Sequence, residues 1–495
     1  MAWLSYPLHA RLVDVMSASF FFYDLETSGI NPHKTRIMQF AGIRTDMELN
    51  PIGEPVNVMI KMTEDTLPDP DAILITGITP QATIAEGLTE AEFLRMFADE
   101  VATPGTIFLG FNTVRFDDEF VRCLHYRNFY DPYEWQWQDE RSRWDLLDVV
   151  RMTRALRPEG IEWPFDAEGK ATNRLELLTA LNKLDHAHAH DALSDVEATI
   201  AVARLIRNKQ EKLFEYLLSM RDKRKVANLV MGGKPFVYTS GKYPSEFEKT
   251  TVVYPVCEHP GRAGSAFVYD LRNDPDQYKD STPEQLAELW KWNKDREAPR
   301  LPIKTLMYNR CPAIAPTGVL DDSSKKRLKL DMSVIEQNLA KLKGIQDFEE
   351  RLCKAWEIME KERGTFANDG DDVDGSMYQG FFDNGDKQSM RVVRAAQPEE
   401  LGDLNLHFKD DRLTSLLPLY KARNYPQTLT SEERVEWENF CRTKLLDGGQ
   451  HSRMAQFFAR LQEIVTAGNL TSHQEYLLEE LKLYAESIMP ADADM

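Results

Sequence analysis

Cysteine is scarce in this chain and shows no ordered spacing. The five residues, Cys123, Cys257, Cys311, Cys353 and Cys441, are scattered over 495 positions and form no Cys-x-x-Cys pair. This argues against a disulfide framework or a thiolate zinc site and fits a reducing cytoplasm. Positive charge is also in deficit: 60 Lys and Arg stand against 80 Asp and Glu, a formal net charge of −20. Such a chain should adhere weakly to nucleic acid in general. A single basic, aromatic-lined channel remains compatible with it, because net charge describes the whole surface and not one groove. No apolar run reaches the ~20 residues of a membrane helix. The first nineteen residues lack the layout of a signal peptide, and Met16, just before Ser17-Ala18-Ser19, is an alternative start. No internal repeat is visible.

Apolar residues make up 42% and charged residues 28%, as in soluble globular proteins, and the length predicts two to four domains. Up to about residue 208 the pattern alternates strands (20–23, 106–111) with helical spacing (90–97, 191–207), predicting an α/β domain with a mixed sheet. The charged stretch 209–225 reads as a connecting helix. Short β-like pieces at 235–238, 251–254 and 266–269, separated by Gly and Pro turns, then predict a small barrel. Helical segments follow at 283–292 and 333–362, and amphipathic helices dominate the end of the chain to residue 488. The acidic run from Asn368 to Gly375 looks like a calcium loop but lacks the closing glutamate, since Gly380 stands at the twelfth position. It reads as a linker.

The chemistry lies in the acids. Asp24 and Glu26, two residues apart after the apolar run at 20–23, share one side of a strand at its carboxyl end. His190 precedes Asp195 by five residues, near helical-neighbour spacing, and Phe116-Asp117-Asp118 adds a third acidic position. Converging carboxylates suit a hard divalent cation such as Mg²⁺. A neutral histidine beside them can take a proton from an attacking water. Together these groups equip a site for metal-assisted phosphodiester hydrolysis. Taken singly, each acid reads better as a solvated or capping residue, and the His186, His188, His190 run reads as an incidental metal-binding tract.

These motifs resemble the DnaQ-like 3′→5′ exonucleases of the four-acid class with a catalytic histidine, and within them the bacterial single-strand-specific exonuclease I family. The resemblance is carried by Phe116-Asp117-Asp118-Glu119, by Arg143-Trp144-Asp145-Leu146-Leu147-Asp148 and by segments 74–81, 126–133 and 156–161. Segments 309–312, 379–382 and 422–426 extend it beyond the first domain. It implies an N-terminal extension (1–19), a ribonuclease-H-like exonuclease domain (20–208), an SH3-like β-barrel-containing domain (211–363) and an all-α C-terminal domain (366–488), forming a C-shaped clamp.

By resemblance, Asp24, Glu26 and Asp195 hold metal directly, and Asp117 holds a second Mg²⁺ directly or through water, with Mn²⁺ able to substitute. Asp117 is preferred to Asp118, which reads as a cap or surface acid. His190 is the base, with His186 and His188 as bystanders. Glu26 and Arg174 would meet the 3′ end of DNA. Arg122, Tyr133, Trp137 and Arg151 would line the strand's path among other aromatics that belong to the core, Trp144 included. Lys223, and more weakly Asn309 and Arg310, would be contributed from the second domain. Bases stacked on aromatics while cations track phosphates give sequence-tolerant binding. The family also implies a partner, the acidic C-terminal tail of single-stranded DNA-binding protein, with Arg157 as a candidate contact, and a monomer is expected. The activity implied is release of 5′-mononucleotides from single-stranded DNA in repair and recombination. An exoribonuclease and a non-catalytic single-strand-binding scaffold are the alternatives.

Overall fold

The apolar run at 20–23 is the middle of a longer strand, β1 (Ser19–Thr27), buried along almost its whole length. The computed structural model describes residues 18–184, 191–291, 299–364 and 373–489. β1 pairs antiparallel with β2 (Ile37–Thr45), which pairs antiparallel with β3 (Val56–Met59). On its other side β1 runs parallel to β4 (Thr106–Gly110), and β4 parallel to β5 (Ser142–Asp145). The sheet is therefore mixed, in the order β3-β2-β1-β4-β5. Gly110 is required where β4 passes β1, because a Cβ there would lie 2.6 Å from the Tyr23 carbonyl oxygen. One face of the sheet packs an aromatic cluster of Phe21, Phe40, Phe93, Phe97, Phe108 and Trp135, with Phe97 and Phe108 stacked at 5.9 Å.

Helices α1 (Pro70–Thr76), α2 (Pro80–Glu86) and α3 (Glu90–Met96) precede β4. Then come α4 (Asp117–Arg127), α5 (Leu146–Leu156), α6 (Leu175–Leu181) and α7 (Ala192–Ser219). The expected connector at 209–225 is helical, and a kink at Gln210, whose backbone is non-helical, sets it off from the part of α7 that begins at Ala192. Beyond the kink α7 runs to Ser219, and α8 (Lys223–Met231) starts anew with Asp222 capping the Arg224 amide.

The second sheet contains β6 (Phe236–Thr239), β7 (Thr250–Glu258), β8 (Ser265–Asp270), β9 (Ile303–Met307) and β10 (Ala313–Pro316), all antiparallel, in the order β10-β6-β7-β8-β9. The sequence reading found the first three strands. Among the described residues the edge strands β9 and β10 do not pair with each other, so the sheet is open. Helices cover one face instead: Phe267 packs on Trp290 of α9 (Pro283–Trp290) at 4.9 Å, and Tyr269 on Phe348 at 6.3 Å. α10 (Asp322–Arg327), α11 (Met332–Gly344) and α12 (Phe348–Gly364) follow. The helical stretch expected at 333–362 is formed by α11 and α12, parted at Asp347, whose φ of 57° lies in the left-handed region. Cys257 and Cys353 approach to 3.9 Å between sulfurs without a bond, and all five cysteines are free.

Helices α13 (Asn384–Ala395), α14 (Asp411–Asn424), α15 (Ser431–Leu446), α16 (Arg453–Ala467) and α17 (Ser472–Ser487) complete the chain. They pack back on the first sheet's helices. Tyr484 donates to the Thr63 carbonyl at 2.9 Å, and Phe129 meets Tyr420 edge-on at 5.3 Å. Asp374, from the acidic run, is buried against Arg36, Arg423 and Lys444, so its carboxylate is committed to ion pairs. Residues 368–372 of that run lie outside the described residues.

Candidate active site

Alternation along β1 places Asp24 and Glu26 on one side, opposite Ala41 and Gln39 of β2. Both lie toward the carboxyl end of β1, past Phe22, the last residue paired with β4, while pairing with β2 continues through Thr27 after a bulge that follows Glu26. Asp195 reaches the same point from the first turn of α7. Asp191 caps that helix by accepting from the Ser194 amide at 3.0 Å. Ligand oxygens of Asp24, Glu26 and Asp195 all lie within 4.8 Å of one another.

Bringing three carboxylates together carries an electrostatic cost. Burial, then Asp195, pushes Asp24 well above the ordinary carboxylate range. Burial, then Asp24, Asp195 and Asp191, pushes Glu26 up to about 9. Asp117 is buried at the start of α4 and is likewise raised, by burial and then by Asp24. It therefore stands beside Asp24 but outside the tight three-acid group. An all-oxygen donor set of desolvated, mutually repelling carboxylates fits a hard divalent cation, which offsets the repulsion that raises them. His190, with His186 and His188, lies outside the described residues, directly before the Asp191 cap.

Asp118 is neither cap nor surface acid. It is 1% exposed, accepts from the Tyr23 hydroxyl at 2.5 Å, and forms an ion pair with Arg143. The carboxylate of Asp118 is thus committed to Tyr23 and Arg143.

Two cavities collect most of the remaining predicted residues. One, of about 640 Å³, is lined by Asp24 and Asp195 together with Arg151, Arg174, Lys170 and Lys249. Arg174 is the exposed N-cap of α6 and pairs with Glu176 at 2.6 Å, while Arg151 pairs with Asp148 at 2.7 Å. The other, about 1180 Å³, brings together Arg122, Tyr133, Trp137, Lys223, Asn309 and Arg310. Trp137 is 59% exposed there, whereas Trp135 and Trp144 are core. Arg122 sits over the Tyr133 ring at 5.7 Å but is largely buried, held by Glu119 and Gln136. Arg157 lies apart from both cavities. It donates to the Val319 carbonyl at 2.9 Å and pairs with Asp321 at 3.3 Å, tying α5 to the turn after β10.

The sequence reading passed over several cleft residues. Phe381, 84% exposed, meets Tyr133 at 5.6 Å, and Tyr378 and Glu119 line the same wall. Phe381 lay in a segment used for the resemblance. Only its exposure in the folded chain separates it from Phe382, which is buried.

Three family models match in tandem: Exonuclease at 21–203, Exonuclease I SH3-like domain at 221–358 and Exonuclease I C-terminal domain at 371–488. The chain is 39% identical to exodeoxyribonuclease I of Haemophilus influenzae over 96% of its own length and 100% of the relative's. It is 40% identical to exodeoxyribonuclease I of Escherichia coli over 85% and 88%. Among solved structures, E. coli exonuclease I in complex with a dA16 oligonucleotide aligns at a TM-score of 0.91 and 38% identity, covering 96% of this chain and 100% of that one. A moderately thermophilic exonuclease I from Methylocaldum szegediense aligns at 0.89 and 40%, covering 95% and 100%. Exonuclease I has also been solved with SSB and the inhibitor CFAM, and the E. coli enzyme with single-stranded DNA in a zinc-bound form. A paired-acid strand, a capped helix carrying Asp195 and an aromatic cleft thus stand in a fold shared along the whole length of these enzymes, and the chain belongs to the exonuclease I family of DnaQ-like exonucleases.

Proposed function

We propose that this chain is a metal-dependent 3′→5′ exodeoxyribonuclease that degrades single-stranded DNA to 5′-mononucleotides in repair and recombination. The observation that carries this reading is the convergence of Asp24, Glu26 and Asp195 on one point, beside a cavity that Arg151, Lys170, Arg174 and Lys249 also line. Asp24, Glu26 and Asp195, with Asp117 beside them, would hold Mg²⁺, or Mn²⁺ in its place. Two such ions supply the charge neutralisation that in-line phosphoryl displacement needs. His190 takes the proton of the attacking water. Arg174 and Arg151 orient the terminal phosphates, and Glu26 borders the 3′-terminal sugar.

Away from the acids, Tyr133, Trp137 and Phe381 offer faces on which bases stack, and Arg122, Lys223 and Arg310 offer charge to phosphates. The three domains (20–208, 211–363, 366–488) act as a C-shaped clamp within a single chain in the cytoplasm. Its narrow path favours a single strand over a duplex. The partner tail of single-stranded DNA-binding protein is acidic and apolar, and Arg157 at the edge of the SH3-like domain is the contact we assign to it.

The test is incubation of the purified protein with 5′-labelled single-stranded DNA and Mg²⁺, beside RNA, blunt duplex and EDTA controls. A ladder shortening from the 3′ end on single-stranded DNA alone is expected. Degraded RNA with intact DNA would overturn the substrate, and binding without cleavage would overturn the enzyme.

A further inference from the structure

Three consecutive acids open α4, and each has a different role. Asp117 stands beside Asp24, and Asp118 is taken up by Tyr23 and Arg143. Glu119, on the wall of the 1180 Å³ cleft, gathers one donor from each of the three domains. Its Oε1 accepts from Arg122 of the exonuclease domain at 2.7 Å and from Arg310 of the SH3-like domain at 2.9 Å. Its Oε2 accepts from the Tyr378 hydroxyl of the C-terminal domain. Basic side chains outnumber acidic ones around this cleft, and Glu119 is the acid on which its cations converge. Arg122 is further fixed by Gln136 and lies over Tyr133, so the carboxylate holds a guanidinium at the edge of the base-stacking surface.

We propose that Glu119 is a positioning residue that stands in for a backbone phosphate. It holds Arg122 and Arg310 in place when the strand is absent and shares them with a phosphate when it is present, so limiting how tightly the cleft grips DNA. The physical need follows from processive movement. Each nucleotide removed requires the strand to advance, and free arginines bound to successive phosphates would make every step a full dissociation. A carboxylate that replaces the departing phosphate keeps the arginines paired between steps and avoids leaving charge uncompensated in a partly buried wall. Glu119 thus lowers equilibrium affinity in exchange for faster advance. The inference rests on the proposed path of DNA through this cleft.

The test compares E119Q, R310Q, the double variant E119Q/R310Q and W137A. Affinity for a long single strand is read in EDTA across a salt series, and turnover and processivity are read with Mg²⁺. E119Q is expected to bind about two- to fivefold tighter, with a lower kcat. Its log–log salt slope should be steeper by about 0.7, the value of one added phosphate contact on a single strand. In the double variant, slope and affinity should return toward wild type, because cation and anion are removed together. A junction that merely holds the domains together would instead weaken binding in E119Q and weaken it further in the double variant, and that result overturns the proposal. If E119Q does not fold, the comparison of R310Q with E119Q/R310Q carries the same sign test. Unchanged binding by W137A would show that DNA does not use this cleft, which removes the premise. Weaker binding by W137A together with weaker binding by E119Q would overturn the role of Glu119 alone.

Discussion

Asp65 and Asp374 share one guanidinium: Arg423 lies 2.8 Å from the first and 2.7 Å from the second. Lys444 joins them at 2.6 and 3.1 Å, and Arg36 lies 2.9 Å from Asp374. Asp65 and Arg36 belong to the exonuclease domain, and the other three belong to the C-terminal helical region. Every side chain in the network is buried, so the two parts of the chain are joined through paired charge and not only through apolar contact. Burial alone would raise both acids, but Arg423, Lys444 and Arg36 hold them well below the ordinary carboxylate range.

Removing one acid leaves its partners charged and desolvated. Asp374→Ala is expected to lose about 3–5 kcal/mol of stability. Chemical unfolding followed by tryptophan fluorescence measures this. A loss under about 1 kcal/mol would mean that the network is hydrated and weak.

The neighbouring acids Asp117 and Asp118 should respond in opposite directions. Asp118 satisfies Arg143 and the Tyr23 hydroxyl, and Asp118→Asn is expected to cost about 3 kcal/mol by leaving a buried guanidinium unpaired. Asp117 is a repelled, desolvated carboxylate, so Asp117→Asn should stabilise the metal-free protein while lowering kcat by about 10²-fold or more. Thermal melts in EDTA beside single-turnover rates separate the two effects, and equal destabilisation by both variants would contradict the assignment.

The clustered carboxylates Asp24, Glu26 and Asp195 set a pH dependence. A folded-state pKa raised above the unfolded value means the folded protein binds more protons, so stability falls as pH rises. For Glu26 the window runs from the unfolded value near 4.3 up to about 9. Bound Mg²⁺ needs the deprotonated acids and offsets their repulsion. The rise in Tm on adding Mg²⁺ to EDTA-treated protein should therefore be larger near pH 9 than near pH 6, and Glu26→Gln should flatten the difference. An increment independent of pH would count against this site as the place of binding.

Trp137 and Phe381 project from different domains into one cleft, and each offers a stacking face. Trp137→Ala is expected to weaken single-strand binding by about 1–3 kcal/mol without changing the cleavage rate of a bound strand. Phe381→Ala should act in the same direction but less strongly, because Phe381 already packs on Tyr133. Saturation and single-turnover kinetics distinguish these effects. A fall in the bound-strand rate with unchanged affinity would move both residues out of the binding path.

The acids of the site were legible because their geometry is local. A period of two puts Asp24 and Glu26 on one side of a strand, and a capped helix start aims Asp195 from its first turn. The boundaries of α7 and α8 were less legible, because the helix kinks at Gln210 and no Gly or Pro marks the place. Asp118 was misread as a surface acid for a related reason. Its burial depends on Arg143 and Tyr23, which are close in space and far along the chain.

By itself the sequence determined the order of the domains, the acids that converge in the candidate site and the aromatic and basic composition of the cleft, since each follows from side-chain chemistry and short-range periodicity. Only the tertiary structure decided that Glu119 binds Arg310 and Tyr378, that Asp65 and Asp374 share Arg423, and which aromatics face solvent. Those contacts join segments hundreds of residues apart, and their pairing depends on how sheets and helices pack, which no local pattern along the chain encodes.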